Sequence, residues 1–560
     1  MSAIALSVKR AAAAALFVFC AAAAAQLHGP EIDTGRVEKR AVVAQRFMVA
    51  AADPQAVEAG LRILRAGGSA ADAAIAVQLV LGLTEPQSSG LGGGAFVLHW
   101  SQKEKRVRSY DGRETAPAAA RPERFLDRRG NPQEFMLSVA SGRAVGVPGV
   151  PRLLQRLHRE HGRLPWARLF EPAIGLAESG FAKTRRLTRL LEREQLLRAD
   201  PAARALFYAG PRIVNREYAA TLKALMEKGA GAFYHGAIAE DIVRAVRAHA
   251  RPGDMTLADL SSYRVEEREP VCGGYRGYRL CGMGPPSSGG IGVLQILGLL
   301  ERIGFAHAKP GSAEAVHLFS EAARLAYADR LRYVADPAFV PQPVAKLLEP
   351  KYLDARAKLI GGRSMSFALP GELDAEAAGT SHLSIVDAEG NAVAMTTTIE
   401  HAFGSRILVR GLLLNNQLTD FGFLPTIAGR PAANRVEPGK RPRSSMSPTL
   451  VFERDGRLKM LLGSPGGLAI INYVAKTLVA TLDWGLDIQA AISLPNFGST
   501  NGPTFLERGT AYEELGDALA ERGHVLNYTS LTSGLHGIER VPGGWRGGAD
   551  PRREGIAAGD

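Results

Sequence analysis

The stretch GTSHLSIVDAEGNAVAMTTT, residues 379–398, is the most informative part of the chain, because two runs of strand-forming side chains meet at a turn within it. The intervening letters AEG fit a three-residue hairpin loop, a type I turn followed by a glycine with positive φ. Such a loop pairs Asp387 with Asn391. Counting back along both strands, we expect Thr380 to lie directly opposite Thr398.

The residues before Thr380 suggest why two facing hydroxyl groups would matter. Residues 369–378 are rich in Gly, Pro, Ala and acidic residues, which predicts an exposed linker. A threonine hydroxyl is a weak nucleophile, but a free α-amino group titrates near pH 8 and accepts its proton. That amine exists only after the chain is cut before Thr380. Taken alone, strand composition favours the alternative of two surface threonines.

The rest of the chain mixes blocks of helix with short strands, which predicts α+β layers with helices outside a packed β core. Helical patterns cover residues 56–83, with one internal turn, and much of residues 150–260 and 313–357. Strands are expected at residues 95–100 and 107–110.

Several further motifs lie on both sides of the hairpin. They are EP (85–86), SGLGGG (89–94), DGRETAP (111–117), PPSSGG (285–290), LNNQLTDF (414–421), GKRPRSSMSPT (439–449) and GSPGG (463–467). With the hairpin, they closely resemble the γ-glutamyltransferase (γ-glutamyltranspeptidase) family, in the family's order and over nearly the whole chain. The resemblance implies the four-layer αββα sandwich of the N-terminal nucleophile hydrolases, an α+β fold.

The resemblance also implies catalytic roles. Thr380 would cut the precursor before itself and then act as the catalytic nucleophile, with Thr398 as its supporting hydroxyl. Gly466 and Gly467 match the pair whose backbone N–H groups form the family's oxyanion hole, where aimed donors stabilise developing negative charge; a plain turn is the alternative. His382 is given no catalytic role, because the α-amine already supplies a base.

Other matched positions would bind the donor's α-carboxylate. Arg113 matches the arginine that grips it through two parallel hydrogen bonds, and Ser444 and Ser445 would donate to the same group. For Arg113 alone, a surface ion pair with Asp111 or Glu114 is the simpler interpretation.

Gln417 and Asp420 would hold the donor's α-ammonium group, since a carboxylate attracts a cation. Glu400 stands where family members often carry asparagine, and a glutamate is still able to bind an ammonium group. The segment 421–443 is shorter than in members that have a lid over the pocket, which predicts an open site for larger substrates. The retained Asp420 favours a γ-glutamyl donor over the substrates of the related cephalosporin acylases.

The chain has 560 residues and a net charge of +12, but no basic run is interleaved with aromatic residues, so nucleic-acid binding is not predicted. The triple glycine at residues 92–94 lacks the Lys-Ser/Thr of a phosphate-binding loop. No cofactor and no metal are predicted. One group of arginines is expected to form a solvated helix face: Arg185, Arg186, Arg189, Arg193 and Arg198.

The N-terminus has the pattern of a cleavable signal peptide over residues 1–25: Lys9 and Arg10, an apolar run, and three small residues before the cut. This predicts export to the periplasm or medium, with an uncleaved anchor as the alternative. Phe19 is too bulky for a lipoprotein site at Cys20.

Cys272 and Cys281 flank a turn centred on Arg276 and Gly277, which places the two cysteines opposite each other. Export permits a disulfide there, and two buried thiols are equally compatible with the pattern.

The resemblance therefore predicts a large subunit, residues 26–379, and a small subunit, residues 380–560, that remain one heterodimer. Thr380 would take the γ-glutamyl group of glutathione or a related γ-glutamyl amide and pass it to water or to an amino-acid or dipeptide acceptor. Two alternatives stay open: an exported acylase acting on glutaryl-β-lactams, and an exported binding protein that is never processed.

Overall fold

The fold was analysed in a computed structural model that describes residues 35–369, 379–427 and 429–560. The predicted signal peptide and residues 370–378 of the predicted linker lie outside the described residues. Among those described, no helix combines the length and apolar character that a membrane span requires.

Two seven-stranded sheets form the centre of the molecule. We name the first the Thr380 sheet; its strands in spatial order are Ile556–Gly559, Met48–Ala51, Gly379–Val386, Ala392–Glu400, Gly94–Ser101, Arg106–Gly112 and Glu266–Arg268. We name the second the disulfide sheet; its strands are Val42–Ala44, Gly544–Ala549, His536–Val541, Leu458–Gly463, Thr449–Phe452, Tyr278–Gly282 and Val271–Tyr275.

The sheets pack face to face because successive side chains of a strand point to opposite faces. Met48 contributes to the apolar cluster shared with the disulfide sheet, whereas its neighbour Val49 belongs to the cluster that contains the helices Pro54–Arg65 and Ala70–Thr84. On the far side of the disulfide sheet, the helix Ala313–Tyr333 and its neighbours close the second core. The predicted four-layer αββα arrangement is confirmed.

The helices confirm the predicted blocks, and residues 313–357 contain three of them. The α-helices are Pro54–Arg65, Ala70–Thr84, Phe135–Val139, Val150–His161, Glu171–Ser179, Arg185–Arg193, Gln195–Ala199, Pro201–Phe207, Arg216–Lys228, Gly231–Tyr234, Ala237–Ala248, Leu257–Ser262, Gly289–Arg302, Ala313–Tyr333, Val344–Leu347, Pro350–Ala357, Ile470–Leu482, Ile488–Ser493 and Gly516–Glu521. Small sheets are formed by Phe181–Ala182 with Arg212–Ile213, Leu408–Val409 with Leu412–Leu413, Thr426–Ile427 with Arg430–Pro431, and Phe497–Ser499 with Thr504–Glu507 and Leu526–Thr529.

The predicted hairpin joins Gly379–Val386 to Ala392–Glu400. The backbone N–H of Asp387 donates to the Asn391 carbonyl over 3.0 Å, and Gly390 adopts a φ of 83°. The loop therefore has the predicted length and the predicted glycine conformation.

The predicted register holds along the hairpin as far as the residue after Thr380. Gly379 then pairs with Glu400, so Thr380 lies opposite two residues rather than one. The expected one-to-one pairing of Thr380 with Thr398 is wrong in this detail, because a β-bulge lets Thr398 share the position with Ile399. The turn sets the register near itself, and a bulge farther along the strand re-aims the side chains there.

Burial corrects the prediction of a wholly solvated arginine face. Arg186 is 1% exposed, on the same side of the helix Arg185–Arg193 as Leu187 and Leu190. Its Nε lies 3.9 Å from Glu85 Oε2. Three members of the group are exposed as expected: Arg185, Arg193 and Arg198. The spacing of the arginines did not reveal that Arg186 lies on the buried, apolar side of this helix.

The C-terminal strand Ile556–Gly559 forms an edge of the Thr380 sheet by pairing with Met48–Ala51. The main-chain carbonyl of Asp560 accepts hydrogen bonds from the amides of Gln45, at 3.1 Å, and Arg46, at 2.7 Å. The end of the chain thus lies beside residues near its beginning.

The disulfide sheet takes its name from the bond between Cys272 and Cys281, which lie directly opposite each other in the paired strands. Arg276 and Gly277 both have positive φ, 51° and 83°, which is the signature of a type I′ hairpin turn. The structure resolves the open alternative in favour of the disulfide.

Removal of this disulfide is expected to destabilise the protein moderately. The cysteines are nine residues apart, and closing a loop of this size stabilises a protein by about 2–3 kcal/mol. We expect Cys272→Ser/Cys281→Ser to unfold at a lower urea concentration than the wild type. Alkylation of both cysteines in denatured, unreduced wild-type protein would contradict the disulfide.

Candidate active site

One small pocket brings together most of the residues that the sequence predicted. Its polar lining consists of Arg113, Thr380, Thr398, Gln417, Asp420, Ser444 and Ser445, with Gly467 beside them. Met446, Leu468 and Ile470 supply the apolar lining. Gly466 and Glu400 are the two predicted residues that do not line it.

The two threonines lie at the buried end of the hairpin, where Thr380 is 1% and Thr398 2% exposed. The Oγ1 atom of Thr398 accepts a hydrogen bond from the Glu400 amide over 2.8 Å. This contact spans the bulge and holds the Thr398 hydroxyl in place. The interpretation as two surface threonines is therefore wrong.

Arg113 and Asp420 form a buried ion pair within the pocket. Nη2 of Arg113 donates to Asp420 Oδ2 over 2.5 Å, and Gln417 Nε2 donates to the same oxygen over 2.6 Å. The guanidinium also donates to two main-chain carbonyls, Arg443 O at 2.9 Å and Pro442 O at 3.2 Å. The group predicted to bind a carboxylate and the group predicted to bind an ammonium thus neutralise each other.

The simpler interpretation of Arg113, a surface ion pair with Asp111 or Glu114, is wrong. Asp111 accepts a hydrogen bond from the backbone amide of Arg113 at 2.9 Å. Its ion pairs are with Arg268 and Arg441, at 2.9 Å and 3.4 Å.

The two serines present their hydroxyl groups in the same way. Ser444 Oγ accepts from the Met446 amide over 3.1 Å, and Ser445 Oγ accepts from Arg330 Nη2 over 2.8 Å. Because each oxygen already serves as an acceptor, its own proton is available as a donor. Arg330 was not predicted as a site residue.

The glycine pair lies just before the helix Ile470–Leu482, near the positive end of its dipole. Gly466 and Gly467 have φ of 128° and 60°, conformations that side chains disfavour. A Cβ atom on Gly466 would lie 2.4 Å from the ring of Tyr473. Backbone conformation and space both require glycine at position 466.

Glu400 is buried beside this pocket and one of its oxygens accepts from Asn416 Nδ2. Its other oxygen, Oε1, has no hydrogen-bond partner among the described residues. Burial, and then the neighbouring Asp420 carboxylate, raise the pKa of Glu400 well above its usual range. Contact of Glu400 with a substrate stays a prediction.

Glu114 is a second buried carboxyl group. The sequence analysis predicted no role for it except as a possible ion-pair partner of Arg113. Neither of its oxygens has a hydrogen-bond partner among the described residues, and a Cβ atom on Gly94 would lie 2.3 Å from Oε2. Burial raises the pKa of Glu114 to about 8, although Arg113 opposes the shift. Because Gly94 pairs with Thr398, this carboxyl group lies near the strand position of the supporting threonine.

Described residues of the segment 421–443 contact the protein beside the pocket. Phe423 stacks on Phe125 with ring centroids 4.6 Å apart. Asn434 donates to the Asp420 carbonyl over 2.7 Å and accepts from the Arg443 amide over 2.9 Å. The segment is thus anchored next to two pocket residues; its effect on substrate size stays a prediction.

His382 is buried between hydroxyl groups, 2.9 Å from Thr396 Oγ1 and 3.1 Å from Ser384 Oγ. These contacts agree with a structural role.

Away from the pocket, His317, Glu321 and His524 bring potential metal ligands within 4.8 Å of one another. The two imidazoles are hydrogen-bonded to each other at 2.8 Å. Glu321 accepts from Arg324 at 2.9 Å, and also from Ser364 and the Met365 amide. Ligand atoms engaged in this way fit a buried polar network better than a cation site.

Comparison with known proteins agrees with this geometry. Residues 56–560 match the family model described as gamma-glutamyltranspeptidase. The glutathione hydrolase proenzyme of Escherichia coli is 38% identical over 507 residues, covering 87% of each chain. That of Bacillus subtilis is 34% identical over 551 residues, covering 93% of this chain and 92% of the relative. The crystal structure of cephalosporin acylase from Bacillus halodurans superposes with a TM-score of 0.84 at 29% identity, covering 95% of this chain and 99% of that chain.

Glu114 makes a pH-dependent contribution to stability. Between its ordinary pKa of 4.5 and its folded-state value of about 8, the folded protein binds a proton that the unfolded chain has lost. Stability therefore falls as pH rises through this range, by an amount on the order of 3 kcal/mol at pH 7. We expect the melting temperature of Glu114→Gln to decline less between pH 5 and pH 8 than that of the wild type. The exposed Glu123 provides the control, Glu123→Gln, and equal pH profiles for all three proteins would contradict this prediction.

Proposed function

The chain belongs to the γ-glutamyltranspeptidase family, and from this premise we propose that it is a self-processing γ-glutamyltransferase and glutathione hydrolase. Its nucleophile is Thr380, and its donor substrates are glutathione or related γ-glutamyl amides. The acceptors are water and, in the transfer reaction, amino acids or dipeptides.

Processing between Gly379 and Thr380 yields a large subunit from about residue 26 and a small subunit, residues 380–560. Strand pairing supports a stable heterodimer after the cut. The strand Gly379–Val386, which belongs to the small subunit from Thr380 onward, lies between Met48–Ala51 of the large subunit and Ala392–Glu400 of the small subunit. Ala392–Glu400 pairs in turn with Gly94–Ser101 of the large subunit. Separation of the subunits would therefore break ladder hydrogen bonds along both outer edges of the hairpin.

We propose the following reaction for these groups. The α-amine released at Thr380 takes the Oγ proton, and Oγ attacks the γ-carbonyl carbon. The backbone N–H groups of Gly466 and Gly467 stabilise the resulting oxyanion. The C–N bond then breaks, the leaving amine receives the proton, and a glutamyl ester remains on Thr380. Water or an acceptor amine attacks this ester and restores the free hydroxyl.

The observation that carries the proposal is the ion pair of Arg113 with Asp420 in the same pocket as Thr380. A γ-glutamyl head supplies a carboxylate for Arg113 and an ammonium for Asp420, so both buried charges keep a partner when the donor binds. Ser444 and Ser445 add hydroxyl donors for the carboxylate, and Gln417 supports Asp420. An ordinary α-peptide bond leaves no such pair of free charges on the scissile residue.

We place the enzyme outside the cytoplasm, in the periplasm or medium. The signal-like residues 1–25 support export, and the disulfide between Cys272 and Cys281 suits an oxidising compartment.

Similarity to the Bacillus halodurans cephalosporin acylase makes acylase activity the second candidate. A glutaryl group has a carboxylate but no ammonium, so it would leave Asp420 without a cation from the substrate. A γ-glutamyl donor therefore needs the Asp420 carboxylate, whereas a glutaryl donor does not.

Self-processing is tested by Thr380→Ala. We expect wild-type protein to mature into two chains, the smaller beginning at Thr380, and the variant to remain uncut because it lacks the attacking hydroxyl. Intact mass and N-terminal sequencing measure both. Thr397→Val is the matched control: Thr397 is buried on the same strand, next to Thr398, and its loss should leave processing intact. An uncut wild-type chain would favour the binding-protein alternative.

Donor selectivity is tested by Asp420→Ala. We expect kcat/KM for a γ-glutamyl anilide to fall roughly 100-fold or more, because the ammonium loses a buried partner. The rate with a glutaryl anilide should fall much less. Asp420→Asn keeps the shape of the side chain and should show the same selectivity. An unchanged rate with the γ-glutamyl anilide would argue for the acylase.

A further inference from the structure

We propose that Arg330 is a positioning residue for Ser444 and Ser445, and that through them it sets the preference for donors with a free α-carboxylate. The inference rests on the proposed function and adds to it a residue from the large subunit, on the helix Ala313–Tyr333. Arg330 is 1% exposed.

One guanidinium group reaches both serines, by different routes. Nη2 of Arg330 donates directly to Ser445 Oγ over 2.8 Å. Nε donates to Ser288 Oγ over 2.7 Å. The planar fork of arginine allows two such bonds in fixed directions, which the ammonium of lysine does not reproduce.

Ser288, which accepts the second hydrogen bond from Arg330, itself donates to Ser444. Its hydroxyl and its backbone amide both donate to the Ser444 carbonyl, over 2.7 Å and 2.8 Å. The Ser444 amide in turn donates to the Pro286 carbonyl over 3.0 Å. The motif PPSSGG, residues 285–290, thus fixes the main chain of the first serine, and Arg330 fixes the hydroxyl of Ser288 that does so.

The direction of these bonds determines what the site serines do. Ser445 Oγ accepts from Arg330, and Ser444 Oγ accepts from the Met446 amide. Neither hydroxyl donates to another group among the described residues, so both protons are available for an anion in the pocket. A carboxylate is the anion that Arg113, on the same lining, also favours.

The same helix also contacts the oxyanion side of the pocket. The Tyr327 hydroxyl donates to the carbonyl of Leu468, which lines the pocket next to Gly467. Tyr327 and Arg330 are three residues apart and therefore lie on one face of the helix. After processing, one helix face of the large subunit would hold two parts of a pocket built largely by the small subunit.

The test uses processed enzyme and two competitive inhibitors, L-glutamate and 4-aminobutyrate, which differ only in the α-carboxylate. Arg330→Lys keeps the charge and loses the fork. We expect the inhibition constant of glutamate and the KM of a γ-glutamyl anilide to rise roughly tenfold. The inhibition constant of 4-aminobutyrate and kcat should each change less than about threefold, because neither depends on the carboxylate contact.

Arg324→Lys is the matched control, because Arg324 is buried on the same helix and donates to Ser499 and Thr504 rather than to pocket residues. It should change neither inhibition constant. If Arg330→Lys fails to mature, Ser288→Ala tests the relay alone and should weaken glutamate binding selectively. If Arg330 acts through Ser445, Arg330→Lys should weaken glutamate binding less in a Ser445→Ala background than in the wild-type background.

Equal weakening of both inhibitors, a change in kcat alone, or the same effect in Arg324→Lys would overturn the role of Arg330. A second outcome is that the wild type matures and hydrolyses γ-glutamyl anilide, and that Arg330→Lys and Ser288→Ala do so equally well. This outcome would overturn only the inference about Arg330. Wild-type protein without γ-glutamyl activity would overturn the proposed function itself.

Discussion

The enclosure of the strand Gly379–Val386 between two neighbours is the constraint on which the rest of the molecule depends. A residue that attacks its own preceding peptide bond, and later a substrate, must keep one position before and after the cut. Residues 383–386 have strand partners on both edges, so the backbone has little freedom a few residues after Thr380. The bulge opposite Thr380 then gives the threonine an orientation that a regular ladder would not.

Electrostatics adds a second constraint, because several ionisable groups are buried in the pocket or beside it. Arg113 and Asp420 neutralise each other, while burial raises the pKa of Glu114 to about 8 and the pKa of Glu400 well above its usual range. A donor head with one positive and one negative charge enters such a site without leaving a net charge uncompensated. A head group with a single charge would leave one buried partner unmatched.

Motif order and local spacing predicted the layers, the hairpin loop, the opposed cysteines and most of the pocket lining. These features depend on residues close in sequence or on a family pattern that extends along the chain. Four features were not predicted: the bulge, the burial of Arg186, the raised pKa of Glu114 and the contacts of Arg330. The burial of Arg186 and the contacts of Arg330 depend on packing between distant segments; Arg330 and Ser445, for example, are 115 positions apart. No local pattern encodes such distances.

The hydrogen bonds of Asp560 with the amides of Gln45 and Arg46 place two segments that are distant in sequence side by side. A short linker from Asp560 to the large subunit would permit a circular permutant. Its translated chain would begin with a methionine followed by Thr380. Removal of the initiator methionine would expose the α-amine directly. Such a single-chain enzyme would need no self-cleavage, which would separate the chemistry of maturation from the chemistry of turnover.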